Sequence, residues 1–242
     1  KNAFMAVIFI APLFALLGTM AVNNKMAFFS DALGHSAFTG MALGVMLGID
    51  NPLICLMAFG IFLSLVICKV KSYNLLSTDT IISVFSSASM ALGIVILSSN
   101  GSFSKYSSYL IGDILTISPN EILMTAILLV VVYIIWYFMY NHLLLLTVNT
   151  SLASSRGVKT VLVENIFVVM VAVTVMLSIR WIGILTINSL LILPAAAARN
   201  ISSSSKQYHI ITTIFSYISC IGGLMAAYYL NTSAGASMVL LA

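Results

Sequence analysis

An aspartate and a histidine stand four residues apart inside an apolar stretch, Phe28-Phe29-Ser30-Asp31-Ala32-Leu33-Gly34-His35-Ser36-Ala37. On a helix this spacing puts carboxylate and imidazole on one face, one turn apart. Both are costly at membrane depth, where an ionisable side chain marks a functional site by default. A neutral imidazole and a carboxylate are suitable ligands for Zn²⁺, Mn²⁺ or Fe²⁺. Two ligands are too few to hold such an ion tightly, which suits a passage site that must release its cargo. The structural alternative is a satisfied buried ion pair, or a helix start with Asp31 in its first turn.

The remaining polar residues point less sharply to chemistry. His142 and His209 fall near helix ends, where a histidine meets terminal carbonyls or water, and are expected to be structural. Asp79, in Ser77-Thr78-Asp79-Thr80, precedes an apolar run and reads as a helix cap. Asp113 and Glu121 are expected to be solvated carboxylates on the outer side, and Glu164 to pair with Lys159 or Arg156. Asn188 and Ser189 form a polar patch whose expected role is an interhelical hydrogen bond. Pro194 should kink or end its helix, and Ala195 to Ala198 allow close helix packing. Cys55, Cys68 and Cys220 have no paired spacing and read as small buried hydrophobes.

These residues need elements to carry them, and composition says which. The chain is 61% hydrophobic and 7% charged over 242 residues, with mean hydropathy +1.14. Soluble domains carry about 25% charged residues, so a water-soluble fold would lack its polar surface. Apolar segments fall at 3–22, 26–49, 52–68, 80–98, 121–140, 161–179, 181–198 and 208–230, with another beginning near 234. A span takes about 20 residues. The expected fold is therefore all-α, a polytopic transmembrane bundle of about eight to nine spans that includes short re-entrant or half-helices. The mixed stretch Tyr106 to Thr116 is a candidate half-helix. The first segment lacks the basic flank and cleavage site of a signal peptide and reads as a span. The last run, Ser237 to Ala242, reads as an incomplete one.

With the N-terminus outside, Lys25, Lys69, Lys71, Arg156, Lys159, Arg199 and Lys206 all fall on the cytoplasmic side. Lys1, Lys105 and Arg180 remain outside, with Asp50 and Glu121. This is a positive-inside bias. From Lys25, Asp31 lies about 9 Å and His35 about 15 Å further along the helix, which places His35 near mid-membrane. The net charge of +4 is too small and too scattered for nucleic acid. The polar connection from Asn149 to Thr160 is expected to form a short cytoplasmic helix and turn around Gly157, either an ordinary loop or a functional one. No GxxxxGK[ST], GxSxG or HExxH motif is present. Gly157-Val158-Lys159-Thr160 lacks the upstream glycine of a phosphate loop, so any ATP must be bound by another chain.

Four segments stand in order along the chain. They are Phe29-Ser30-Asp31-Ala32-Leu33-Gly34-His35-Ser36 with Gly40-Met41-Ala42-Leu43-Gly44, then Tyr109-Leu110-Ile111-Gly112-Asp113-Ile114-Leu115 with Pro119. Trp181-Ile182-Gly183-Ile184-Leu185 through Leu191 to Arg199 follows, and then Ser233-Ala234-Gly235-Ala236-Ser237-Met238-Val239. Together they resemble the permeases of bacterial ATP-binding-cassette (ABC) importers for zinc, manganese or iron, and the resemblance covers nearly the whole chain. It implies a single transmembrane permease domain over 1–242 that pairs with a second copy in the bacterial plasma membrane. Two cytoplasmic ATPases would bind the ATP, and an extracytoplasmic metal-binding protein would deliver the ion. It also implies that Ala153, Arg156, Gly157 and Val158 belong to the segment that docks on the ATPase, and that Asp31 and His35 are pathway metal residues.

Some zinc-type members of the family carry a histidine in the span that here reads Phe85-Ser86-Ser87-Ala88-Ser89. Its absence favours a harder ion such as Mn²⁺, or the position does not coordinate. The expected function is transport of Zn²⁺ or Mn²⁺, with iron a third candidate and no resident cofactor. The alternatives are an ABC permease for a siderophore or haem, which would want a wide apolar cavity, and a secondary transporter or channel.

Overall fold

The computed structural model describes residues 2–49, 51–73, 76–99 and 112–242. Its helices are α1 (Asn2–Asn23), α2 (Phe29–Met46), α3 (Pro52–Ser72), α4 (Thr78–Ser99), α5 (Pro119–Val148), α6 (Thr150–Ser155), α7 (Thr160–Ile182), α8 (Ile184–Ile201), α9 (Ser205–Leu230) and α10 (Ala234–Leu241). A 3-10 turn, Ile114–Thr116, precedes α5, and there is no strand among the described residues. The proposed half-helix from Tyr106 lies outside the described residues as far as Ile111, as do Lys1, Asp50 and Lys105. From Gly112 to Thr116 the backbone is a turn capped by Asp113, whose carboxylate accepts from Leu115 N at 3.0 Å.

Among the described residues seven helices are long and apolar enough to cross a membrane: α1, α3, α4, α5, α7, α8 and α9. The protein is a multi-pass integral membrane protein. α2 falls outside that set by composition, because Asp31, His35 and a run of small residues dilute its apolar content. It is nonetheless largely buried, with Phe29, Ala32, Leu33, Ala37, Phe38, Met41 and Ala42 at 1% exposure or less. α5 has the opposite character. Leu123, Ile127, Val130, Ile134, Tyr137 and Phe138 are exposed along it, the surface expected of a helix facing lipid tails.

Local chemistry explains where helices begin and end. Ser118 and Glu121 form a capping box at α5: Glu121 Oε2 accepts from Ser118 N at 2.9 Å, and Ser118 Oγ accepts from Glu121 N at 3.3 Å. Pro119 takes the first helical position, where a missing N–H costs nothing. At α4 the cap is Ser77, which accepts from Thr80 N at 3.2 Å. Asp79 is an exposed residue of the first turn, so its predicted capping role passes to its neighbour. Pro194 does not end its helix, since α8 runs through it to Ile201. Neighbouring helices satisfy backbone freed by a membrane proline, and α1 packs closely here. A Cβ on Gly18 would lie 1.9 Å from the Leu191 carbonyl oxygen.

The chain folds into two compact units. One holds α1, the 3-10 turn, the start of α5, the end of α7, and α8 to α10; the other holds α2 to α4, the rest of α5, α6 and most of α7. In the first unit α1, α8 and α9 pack on one another, and α10 lies against α9 and α8. Ala195 and Ala198 sit in a buried cluster with Tyr208, packed by Val22, Ile211 and Phe215. The second unit is built on α2, held between α3 and α4. Its close approaches use glycine: a Cβ on Gly40 would meet Leu56 Cα at 2.8 Å, and one on Gly93 would meet Thr39 N at 2.5 Å.

Candidate metal site

Asp31 and His35 both rise from α2. Asp31 lies in the first turn, where the helix dipole favours a carboxylate. Its Oδ2 is 3.4 Å from His35 Nε2, with 35% and 21% of the two side chains exposed. The geometry matches the helical spacing read from the sequence. A tetrahedral ion with donors at about 2.0–2.1 Å holds neighbouring donors about 3.3–3.4 Å apart, and the same separation suits the carboxylate–imidazole ion pair that the spacing also allows. His35 Nδ1 is buried and has no hydrogen-bond partner among the described residues. Among the described residues no group of three or more His, Cys, Asp or Glu could hold a metal.

The other sequence candidates are dispersed. His142 is exposed on α5. His209 Nδ1 lies 2.9 Å from Thr19 Oγ1, which donates its own proton to Leu16 O at 2.8 Å. Nδ1 is therefore the donor, and His209 ties α9 to α1. Glu164 pairs with Lys71 of α3 at 2.5 Å, and not with Lys159 or Arg156. Its partner is remote in sequence, where a reading by proximity does not look. Glu121 is not simply solvated: it pairs with Arg180 at 3.2 Å, with 19% of its side chain exposed. Ser189 donates to Leu185 O of its own helix at 3.2 Å. The three cysteines are free.

Asp113 borders a cavity of 330 Å³ in the first unit, lined also by Gly112, Trp181, Thr186, Thr232, Ser233 and Met238. Three of the sequence segments singled out above, around Gly112, Trp181 and Ser233, thus meet at one place. Neither Asp31 nor His35 belongs to it.

The connection from Asn149 to Thr160 forms the short helix and turn that its small residues predict. Asn149 Oδ1 accepts from Ser151 N at 2.8 Å and Leu152 N at 3.1 Å, starting α6. Gly157 ends it at φ +78. Gly157 N donates to Ser154 O at 3.0 Å and Val158 N to Ala153 O at 3.1 Å, a Schellman closure. Ala153 is fully buried, whereas Leu152, Arg156 and Gly157 are exposed. An open groove of 520 Å³ runs beside the turn, lined by Ser154, Val158, Lys159 and the start of α7.

The sequence profile of the ABC 3 transport family matches residues 1–242. The chain belongs to this family. The high-affinity zinc uptake system membrane protein ZnuB of Haemophilus influenzae is 32% identical over 227 residues, covering 93% of this chain and 87% of that protein. The manganese import system permease protein ScaB of Streptococcus parasanguinis is 28% identical over 240 residues, 99% of this chain and 85% of that one. Among solved structures, PsaBC from Streptococcus pneumoniae in complex with Fab superposes with TM-score 0.85 at 24% identity, over 99% of this chain and 86% of that one. At that identity the superposition speaks for the fold. By name these relatives are a membrane protein and a permease protein of metal uptake systems.

Proposed function

We propose that this chain is the membrane-spanning permease subunit of an ABC importer that carries a divalent transition metal, zinc or manganese, into the cytoplasm. The observation that carries the reading is the Asp31–His35 pair at 3.4 Å on one face of α2, inside a multi-pass chain whose relatives are named for zinc and manganese uptake. A second copy of the permease supplies the other half of the ligand set. Two ATPases bind ATP and take hold of Ala153, Arg156, Gly157 and Val158. An extracytoplasmic metal-binding protein delivers the ion. ATP-driven rearrangement then exposes the pair first outward and then inward. An incomplete ligand set in each chain keeps binding reversible, which a conducted ion requires.

The test is metal uptake by cells carrying Asp31→Ala or His35→Ala at equal membrane abundance, with Zn²⁺, Mn²⁺ and Fe²⁺ in competition. Loss of uptake in both variants is expected. Unchanged uptake would remove the two residues from the pathway. A chelate permease has less support: its ligand needs a wide apolar cavity and no paired metal ligands.

A further inference from the structure

Thr39 lies one helical turn beyond His35 on α2 and is 3% exposed. Its hydroxyl donates to the backbone carbonyl of Ser89 on α4. The approach depends on Gly93, the residue whose N–H a regular helix would aim at the same carbonyl. A Cβ there would stand 2.5 Å from Thr39 N and 2.8 Å from Phe38 Cβ. A side-chain hydroxyl of one helix is thus inserted into the hydrogen-bond ladder of the next, where a missing side chain leaves room. Thr39 is β-branched and stiff about χ1, so the bond fixes where α2 sits along α4 as well as how near. His35 and Asp31, one and two turns away on the same helix, take their height from that register.

We propose that Thr39 is a positioning residue for the metal pair, holding His35 and Asp31 in register against α4 through the Ser89 carbonyl. The inference rests on the reading of Asp31 and His35 as the metal site. Ser36, beside His35, donates to Leu33 O within its own helix at 2.7 Å.

The experiment uses the intact permease–ATPase complex in detergent, with Zn²⁺ as probe and affinity measured by competition with a chromophoric chelator. Thr39→Val removes the hydroxyl at nearly constant shape, Thr39→Ser keeps it, and Thr39→Ala serves if the valine variant does not assemble. The loss of one interhelical hydrogen bond in a membrane corresponds to about three- to tenfold in affinity, which is the weakening expected for Thr39→Val or Thr39→Ala. Thr39→Ser should stay within about twofold. In a His35→Asn background Thr39→Val should add nothing, because its effect runs through His35. Wild-type affinity in Thr39→Val and Thr39→Ala, or an equal penalty in both backgrounds, would overturn the proposal and leave the metal site standing. If His35→Asn alone binds Zn²⁺ as tightly as the unaltered chain, the metal-site reading fails and takes this inference with it.

Discussion

At the scale of residues, the donor set of Asp31 and His35 should decide which ion passes. One imidazole and one carboxylate per chain suit a borderline ion, and exchanging nitrogen for oxygen shifts preference toward harder ions. His35→Asp is therefore expected to lower the Zn²⁺-to-Mn²⁺ uptake ratio by about an order of magnitude, read in a two-metal competition assay at matched expression. An unchanged ratio would mean that His35 does not touch the ion. A second prediction concerns the Lys71–Glu164 pair, whose side chains are 24% and 27% exposed. A pair at this depth lies between the exposed case, worth little, and the buried one, costly to break. Glu164→Gln should destabilise the purified chain by about 1–2 kcal/mol, measured by unfolding in detergent, with partial recovery in the swapped pair Lys71→Glu with Glu164→Lys. The Asp31–His35 pairing was legible in the sequence because two ionisable groups stand out in an apolar run at helical spacing. Glu164–Lys71, Thr19–His209 and Thr39–Ser89 were not, because they join residues 93, 190 and 50 positions apart.

Among the elements, the turn after α6 makes the sharpest prediction. Gly157 sits at φ +78 with nothing within 4 Å of where a Cβ would be, so Gly157→Ala meets no clash and only a conformational penalty. That penalty is about 1–2 kcal/mol for a left-handed residue, spent on the turn alone. Metal-stimulated ATP hydrolysis by the assembled transporter should fall steeply, while the unfolding midpoint of the permease drops by no more than the few degrees this penalty brings. Gly157→Asn should retain more activity, because asparagine enters the left-handed region more easily. Equal activity in all three would detach this turn from ATPase coupling. The short helix itself was readable from Asn149, the small residues and the glycine. Helix ends were less so: Asp79 read as the cap of α4, and Pro194 as a kink or an end. At α4 the Thr80 N–H goes to Ser77 Oγ, three residues back, and at α8 the helix runs through Pro194 where α1 passes close at Gly18.

For the molecule as a whole, charge bias in the sequence predicts a sidedness that the hydrogen-bonded and ion-paired helix ends respect. Lys71 at the end of α3 meets Glu164 at the start of α7, both assigned to the cytoplasmic side. Glu121 at the start of α5 meets Arg180 at the end of α7, both assigned outside. Arg199 near the end of α8 reaches Val22 O at the end of α1, at 3.4 Å. Each pairing would be impossible if one of the intervening spans had been miscounted. α5 provides the cleanest test, since its 30 residues extend about 45 Å, enough to cross a bilayer with its headgroups. With Cys55, Cys68 and Cys220 replaced by alanine, Asn120→Cys and Ser151→Cys place single thiols at exposed positions beside the two ends of this helix. A membrane-impermeant maleimide should label Asn120→Cys in intact spheroplasts and Ser151→Cys only after permeabilisation. The reverse pattern would invert the chain in the membrane and move the α6 turn away from any cytoplasmic ATPase. Labelling of both thiols from outside would deny that α5 crosses at all.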